Sequence, residues 1–308
     1  FEHLGDIDVN MDYMPNIRAL DNCIKGYVTV SPYGGYTCNS EFEFLTGNSM
    51  YFLPSGSASF TQYMNNDMDS LVSHLNSLDY NTVALTCCRR GLWKIESAYE
   101  HFGFDTAYFK DNVKLSNIQY INGNISDDAI YRRVEKEFER KPKDESMFVW
   151  VTTMQNHAPY NSTLESDRTP IDLTDPANDQ ADIYLNSIYQ ADKAIGDMVE
   201  YFKNVDEDVV IVFFGDHYPH ISGFYDEMVG FIRSLFESAL KTNDALQFGV
   251  VTGCLRISKE SIFTGLNHLQ ISSIYNNGYE EAFGFTQKET EQMLTYYGME
   301  ERIPEAKE

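Results

Sequence analysis

The chain has 308 residues, of which 43% are hydrophobic and 14% aromatic, and this composition is typical of a folded globular protein rather than a disordered one. Its 47 acidic and 23 basic residues give a net charge of −24, which argues against nucleic-acid binding and against docking on anionic lipid through a basic patch. The five cysteines form no CxxC pair and no zinc spacing, so neither a disulfide framework nor a structural zinc site is expected.

Helical and strand patterns alternate along the first two thirds of the chain. A helical stripe at 68–78 precedes a short strand predicted at Thr82–Thr86, and a buried strand is predicted at Ser146–Thr153. A further helical stripe at 185–202 leads into the apolar run Val209–Phe214, which is predicted to be a buried strand. Strands that alternate with helices predict a mostly parallel α/β sheet with helices on both faces, whose sites gather at the carboxyl ends of the strands.

The first candidate site residue is Thr37, which follows the glycine turn Gly34-Gly35 and falls at the start of a predicted helix. One interpretation is an ordinary helix N-cap, a position that threonine favours. The other is a nucleophile, because the free N–H groups and positive dipole end of a helix N-terminus stabilise an alkoxide or a phosphoryl oxygen.

Two further segments place ionisable side chains directly after predicted strands. His157 lies in the polar turn TTMQNHAPY, where a histidine is more often only hydrogen-bonded than functional. Asp216 and His217 follow the run VVIVFF through Gly215, a residue that lets the backbone turn outward. Carboxylate and neutral imidazole are suitable ligands for Mn²⁺ or Zn²⁺, so this pair is a candidate metal site.

Taken together, these segments resemble the lipoteichoic acid synthase group, the phosphoglycerol transferases of the sulfatase and alkaline phosphatase superfamily. The matching text is DYMPNIRAL, YGGYTCNSEFEFLTG, MQNHAPY and then ADKAIGDMVEYF leading to VVIVFFGDH, in that order. The resemblance implies an alkaline phosphatase/sulfatase-like α/β domain over residues 1–222, truncated at both ends because the family's first strand and last strands are not in this chain.

The resemblance also implies a role for each matching residue. Thr37 matches the metal-bound nucleophile, Asp216 and His217 match two metal ligands, and His157 and Trp93 match substrate-binding residues. The implied cofactor is one divalent ion, Mn²⁺ first, with Mg²⁺ or Zn²⁺ as alternatives. The implied substrate is a phosphatidylglycerol-like lipid or polyglycerol phosphate.

Several positions depart from the family pattern. A metal-binding glutamate that ends the family's first strand is not in this chain. Near Trp93, the family often has an arginine and a histidine where this chain has Ile95 and Thr86, and Arg89 or Arg90 is a candidate replacement. Asp192 continues an apolar helical stripe, so we expect its carboxylate to bind a neighbouring backbone turn rather than a metal.

Residues 223–308 resemble instead the later part of an AAA-ATPase-like domain. The segment FGVVTGCLRISKESIFTGLN predicts a strand at Phe248–Ile257 with Arg256 in a sensor-like place, and FGFTQKETEQMLTYYGM predicts the start of a helical lid. No GxxxxGK[ST] loop occurs in the chain, so ATP is not an expected ligand. The sequence thus predicts two incomplete domains joined near Ser222.

Three functional hypotheses follow. The first is metal-dependent transfer of a phosphoglycerol or related group through Thr37. The second is a sulfatase or phosphodiesterase of the same superfamily that releases the group to water, and the third is a catalytically inactive fusion fragment. The family works on the outer face of the cytoplasmic membrane through helices absent from this chain, in which no apolar run approaches the ~20 residues needed to span a bilayer.

Overall fold

The structure is a computed structural model that describes residues 8–26, 28, 30, 35–54, 56–161, 171, 173–175, 179–221 and 287–296. The chain divides into two units, Phe1–Met228 and Val229–Glu308. Apart from one helix of the second unit, the described elements belong to the first unit. The predicted strand Phe248–Ile257 and Arg256 lie outside the described residues.

Helices and strands alternate along the first unit, with helices more numerous than long strands. The helices are α1 (Pro15–Ala19), α2 (Thr37–Thr46), α3 (Ser59–Gln62), α4 (Leu71–Asn76), α5 (Ile95–Phe102), α6 (Asp127–Arg140), α7 (Asp179–Lys203) and, in the second unit, α8 (Gln287–Tyr296). The strands are β1 (Asp8–Val9), β2 (Tyr80–Thr86), β3 (Thr106–Tyr108), β4 (Tyr120–Ile121), β5 (Asn124–Ile125), β6 (Ser146–Thr152) and β7 (Leu173–Asp175).

The central sheet consists of three parallel strands in the order β3-β2-β6. Val83 of the middle strand pairs with Thr106 on one side and with Val149 on the other. Two small antiparallel pairs, β1 with β7 and β4 with β5, complete the described strand pairing. Because the long strands are parallel, β2 and β6 end at the same edge of the sheet, at Thr86 and Thr152.

The two faces of the sheet are covered by different helices. Ala84 points into a cluster formed mainly by α2, α3, α4 and α5, which includes Phe60 and Tyr99. Its neighbours Val83 and Leu85 point to the opposite face, where α6 and α7 supply the apolar side chains. This alternation follows from the two-residue period of a strand. It confirms the predicted α/β sheet with helices on both faces.

Most of the predicted elements have counterparts in the structure. The strands predicted at Thr82–Thr86 and Ser146–Thr153 are β2 and β6, and the stripe at 185–202 lies within α7. The helix predicted over 68–78 is shorter, since α4 covers only Leu71–Asn76. In the C-terminal segment, α8 falls where the start of a helical lid was predicted.

One predicted strand is wrong. Residues 209–214 are not assigned to any strand, and several side chains are exposed, with Val210 at 88% and Val212 at 65%. A β-branched apolar composition favours an extended chain, but a strand also requires a neighbour that completes a hydrogen-bonded ladder. No described strand pairs with this segment. Only Phe214, at its end, packs against the core, by stacking on Phe44.

Asp192 connects α7 to α1, as expected. Its buried carboxylate accepts hydrogen bonds from the backbone N–H groups of Asn16 and Ile17, each at 2.8 Å, and from the Asn16 side-chain amide at 2.8 Å. These are first-turn N–H groups of α1, which have no partner within the helix. One turn further along α7, Gly196 lies against the same Asn16 side chain. The prediction that Asp192 binds a neighbouring backbone turn is confirmed.

Candidate functional site

Thr37, Asp216 and His217 meet at one carboxylate oxygen. The Thr37 hydroxyl donates a hydrogen bond to Asp216 Oδ2 at 2.6 Å. His217 Nε2 lies 3.3 Å from the same oxygen. The structure therefore brings Thr37 together with the adjacent pair Asp216 and His217, from which it is separated by 179 positions in the case of Asp216.

The start of α2 directs the Thr37 side chain toward Asp216 rather than toward the helix itself. The helix begins at Thr37, and its N-cap is Tyr36, which makes no side-chain capping hydrogen bond. The interpretation of Thr37 as an ordinary N-cap is therefore wrong. Tyr36 has a φ of 65°, a left-handed conformation that is uncommon for a bulky residue. Such strained backbone clusters at functional sites.

Ser40, one turn further along α2, binds the backbone of the same loop. Its hydroxyl donates to the carbonyl oxygen of Asp216 at 2.6 Å. Helix α2 thus holds Asp216 by both its side chain and its backbone. Gly215 has no required role in this turn, because its φ lies outside the left-handed region and a Cβ there would meet no atom within 4 Å.

Trp93 lies beside the site, because its ring contacts the ring of Tyr36, the residue before Thr37. The two rings lie 5.1 Å apart between centroids, at an interplanar angle of 37°. Trp93 and Lys94 both have positive φ angles, 53° and 56°, so a second strained backbone segment lies beside the first. The half-buried Trp93 ring contacts the residue that precedes the candidate nucleophile, a placement compatible with the predicted pocket residue.

His157 lies in the turn that follows β6, on the edge of the sheet where Thr152 ends the strand. The side chain is exposed, and its Nδ1 is 2.6 Å from the carbonyl oxygen of Ala158. The backbone of the turn is held by Asn124, whose amide donates to the His157 carbonyl oxygen at 3.0 Å. Among the described contacts, His157 makes no hydrogen bond with Thr37, Asp216 or His217, so its substrate-binding role stays a prediction.

A buried carboxylate behind the site was missed in the sequence. Glu41 of α2 accepts hydrogen bonds from the Thr152 hydroxyl at 2.7 Å and from the Tyr99 hydroxyl at 3.0 Å. Burial, together with the smaller effect of the Asp216 charge, raises the pKa of Glu41 to about 7. The sequence did indicate that Glu41 would be buried, because it shares one face of α2 with Cys38, Phe42 and Leu45.

The donor atoms at the site fit a divalent cation in kind. Thr37 supplies a hydroxyl oxygen, Asp216 a carboxylate oxygen and His217 an imidazole nitrogen, a set that suits Mn²⁺, Mg²⁺ or Zn²⁺. These are three protein ligands, fewer than a full coordination shell. Within the described residues, no group of three or more histidine, cysteine, aspartate or glutamate side chains is placed to hold a metal.

Thr86 and Ile95, the two positions that depart from the family pattern near Trp93, are both buried. Thr86 is fully buried, and its hydroxyl accepts a hydrogen bond from the backbone N–H of Cys88 at 3.1 Å. Ile95 is also buried, in the cluster on the α2 face of the sheet. Arg89 is exposed and Arg90 is half-buried, in the loop between these two positions.

Curated relatives match the greater part of the chain. A "Putative cyclic beta-1,2-glucan modification protein" of Rhizobium meliloti is 28% identical over 235 residues, which cover 75% of this chain and 36% of that protein. The lipoteichoic acid synthase of Staphylococcus aureus is 26% identical over 182 residues, 58% of this chain and 27% of that enzyme. The chain thus spans only about a third of the length of the curated relatives it matches.

Two solved structures share the fold. The Streptococcus pyogenes phosphoglycerol transferase GacH, solved in complex with sn-glycerol-1-phosphate, aligns with a TM-score of 0.62 and 24% identity, over 72% of this chain and 59% of that one. The lipoteichoic acid synthase LtaP of Listeria monocytogenes aligns with a TM-score of 0.53 and 19% identity, over 64% of this chain and 48% of that one. At these identities the likeness shows the fold alone.

The family model described as Sulfatase matches residues 2–247. This match runs 25 residues past Ser222 (247 minus 222), into the segment predicted to be ATPase-like. No finding supports the ATPase-like resemblance, which stays a prediction. Because the match covers more than half of the 308 residues, the conclusion is direct: the chain belongs to the Sulfatase family.

Proposed function

We propose that this chain carries the catalytic centre of a phosphoglycerol transferase in which Thr37 is the nucleophile. The observation that carries the proposal is the 2.6 Å hydrogen bond from the Thr37 hydroxyl to the Asp216 carboxylate, with His217 beside it. Membership of the Sulfatase family and the fold shared with GacH, whose structure holds sn-glycerol-1-phosphate, support this reaction class.

Each residue would have a distinct task in the transfer. Thr37 Oγ1 forms a bond to the phosphorus of a phosphatidylglycerol-like lipid, and the P–O bond to the diacylglycerol oxygen breaks. The Thr37 proton leaves along its hydrogen bond to Asp216, and solvent protonates the leaving oxygen. An acceptor hydroxyl then attacks the same phosphorus and loses its proton to solvent. The P–O bond to Thr37 breaks, and the proton held by Asp216 returns to Thr37 Oγ1. His157 binds the phosphate oxygens, and Trp93 lines the pocket.

One divalent ion, Mn²⁺ first and Mg²⁺ or Zn²⁺ otherwise, completes this centre. Thr37, Asp216 and His217 would hold it. Its chemistry is to lower the pKa of the threonine hydroxyl and to offset negative charge on the phosphoryl group. The ligand set supports the proposal because an oxygen-rich site with one imidazole suits these ions.

The substrate that we propose is a phosphatidylglycerol-like lipid or polyglycerol phosphate, and the place of action is the outer face of the cytoplasmic membrane. Both come from the resemblance to the lipoteichoic acid synthase group. Among the helices that the structure describes, none is long and apolar enough to cross a membrane.

The test is the capture of a modified Thr37. The 308-residue chain is incubated with Mn²⁺ and a fluorescent phosphatidylglycerol, and peptide mass spectrometry looks for a phosphoglycerol group on the peptide that contains Thr37. Thr37→Ala should abolish both this adduct and the release of fluorescent diacylglycerol, while Thr37→Ser should retain some of each. Mn²⁺ binding, followed by electron paramagnetic resonance, should weaken in Asp216→Asn. Turnover that persists in Thr37→Ala would refute the proposal.

A second candidate, a catalytically inactive domain, is favoured by one observation. Within the described residues, the site contains one carboxylate and one imidazole, and no group of three or more histidine, cysteine, aspartate or glutamate side chains is placed to hold a metal. Weak Mn²⁺ binding with no adduct and no turnover would select this candidate. An adduct that only water resolves, with no transfer to glycerol, would select the hydrolase hypothesis instead.

A further inference from the structure

A cationic cavity opens at the carboxyl ends of β2 and β3, outside the Thr37 site. It has a volume of about 370 Å³ and is lined by Arg89, Arg90, Lys110 and Asp111. The volume is within the range of small-molecule sites, which is ~300–1,000 Å³. Three cations around one carboxylate are unusual in a chain with 47 acidic and only 23 basic residues.

Two of the cations lack protein partners. Within the described part of the chain, neither the Arg89 guanidinium nor the Lys110 ammonium makes a hydrogen bond or an ion pair, and both side chains are exposed. Their backbones are nonetheless positioned, because the Lys110 N–H donates to the Cys88 carbonyl oxygen at 3.0 Å and the Leu92 N–H donates to the Arg89 carbonyl oxygen at 2.9 Å. The cavity therefore presents two unused positive charges on a fixed backbone.

Arg90, the third cation that lines the cavity, is already paired with two carboxylates. Arg90 Nε donates to both carboxylate oxygens of Asp111, at 2.8 and 3.1 Å, and its Nη1 donates to Glu96 at 2.6 Å. Its guanidinium also lies 4.7 Å above the centre of the Phe109 ring. Because Arg90 already serves two carboxylates, it neutralises Asp111 rather than competing for an anion. The cations left for a ligand are therefore Arg89 and Lys110, whose two positive charges exceed the one negative charge that Asp111 and Glu96 retain after pairing with Arg90.

Trp93 connects the cavity segment to the candidate nucleophile. Arg90 precedes Trp93 by three residues, which span at most about 11 Å when fully extended. The Trp93 ring contacts Tyr36, the residue before Thr37, at 5.1 Å between ring centroids. An anionic group in the cavity and a phosphorus atom at Thr37 can therefore belong to one extended substrate.

We propose that Arg89 and Lys110 form a second anion subsite, which binds a further phosphate group of the substrate or acceptor beyond the one that reacts at Thr37. This inference rests on the proposed function for its ligand, a phosphoglycerol-type anion. Lysine and arginine bind phosphate oxygens through charge-assisted hydrogen bonds, which are stronger than neutral ones. The anion is the phosphate group of either a soluble phosphoglycerol or a lipid headgroup, since both carry the same chemistry.

The experiment measures binding without turnover. The full chain, in a chelator that removes divalent metal, is titrated calorimetrically with sn-glycerol-1-phosphate at low salt and at about 0.15 M salt, where exposed charges are screened within ~8 Å. A second arm measures co-sedimentation with phosphatidylglycerol vesicles and with phosphatidylcholine vesicles. The test variant is Arg89→Gln/Lys110→Gln. Its charge-matched control is Lys143→Gln/Lys203→Gln, which removes two exposed lysines elsewhere in the first unit.

The expected result is a loss of about tenfold or more in affinity for sn-glycerol-1-phosphate in the test variant, because two charge-assisted contacts are removed. The Lys143→Gln/Lys203→Gln control should bind like wild type. Selective loss of vesicle binding with unchanged sn-glycerol-1-phosphate binding would assign the subsite to a lipid headgroup. Equal affinity of wild type and test variant for both probes would overturn the proposal.

The outcomes separate this inference from the proposed function. Binding that is lost in Thr37→Ala but kept in the test variant would place the anion at Thr37 alone, which overturns the second subsite and leaves the proposed reaction intact. Binding that requires Arg89 and Lys110, in a protein that shows no Thr37 adduct and no turnover, would support the subsite and count against the transferase.

Discussion

Glu41→Gln isolates the effect of the buried carboxylate behind the site. Glutamine has the same shape and carries no charge, so it imitates the protonated form of Glu41 beside Thr152 and Tyr99. Burial raises the pKa of Glu41 from 4.5 to about 7. The folded protein therefore keeps this proton up to about pH 7, while the unfolded chain releases it near pH 4.5. A proton held only by the folded state means that wild-type stability falls as the pH rises through this window.

The magnitude follows from the two pKa values. The interval from 4.5 to about 7, at about 1.4 kcal/mol for each pH unit, gives roughly 3 kcal/mol of stability that wild type loses and Glu41→Gln does not. Asp127, which is also buried and whose pKa burial likewise raises to about 7, titrates in both proteins. Its contribution cancels in the difference between wild type and variant.

The assay is urea unfolding at pH 5 and at pH 8, followed by tryptophan fluorescence. Trp93 and Trp150 are the two tryptophans of the chain, and both belong to the first unit. A chelator is present because a cation beside Asp216 would lower the pKa of Glu41. With a urea dependence of ~2–3 kcal/mol per molar, the midpoint of wild type should fall by about 1 M more than that of Glu41→Gln. Glu145→Gln, an exposed glutamate just before β6, is the control.

The same change in midpoint for wild type and Glu41→Gln would refute the reasoning. It would mean that Glu41 is ionised in the folded protein at pH 5, so that its two hydroxyl partners outweigh the effect of burial. A larger change in the control than in wild type would point to exposed charges as the source of the pH dependence.

Three further predictions concern α1 and the turn after β6. Asp192→Ala should lower the free energy of unfolding by about 3 kcal/mol in urea titrations, because three donors of α1 lose their acceptor; wild-type stability would contradict this. Gly196→Ala should destabilise the same junction by ~1–3 kcal/mol, because its Cβ would lie 2.7 Å from Asn16 Oδ1; an unchanged midpoint would show that Asn16 moves freely. His157→Ala should slow turnover at least tenfold, which is about the effect of losing one hydrogen bond to the substrate. Its Mn²⁺ affinity, measured by electron paramagnetic resonance, should not change. Loss of Mn²⁺ binding with unchanged turnover would contradict the substrate-binding role of His157.

The sequence predicted which residues form the site better than it predicted the residues that surround them. Thr37 was identifiable because it follows a glycine turn at the start of a predicted helix, and Asp216 and His217 because they follow an apolar run. All three also lie within specific motifs. The buried face of α2 that carries Glu41 could be identified from Cys38, Phe42 and Leu45, but its hydrogen bond with Thr152 is a long-range contact that local periodicity does not contain. The strand predicted at 209–214 failed for a related reason, since composition reports strand preference but not the presence of a neighbour.

The first turn of α2 makes the site sensitive to the length of the chain as well as to its composition. Thr37, Ser40 and Glu41 occupy one helical turn and reach three separate partners: the Asp216 carboxylate, the Asp216 backbone and Thr152. A residue inserted between Thr37 and Ser40 would rotate one part of the set by about 100° relative to the rest. All three contacts could not then form together. An insertion after Thr46, where α2 ends at Gly47, would leave them intact. One-residue insertions scanned along this helix should therefore lower the folding yield between Thr37 and Ser40 and leave it unchanged after Thr46. Single substitutions would not reveal this boundary.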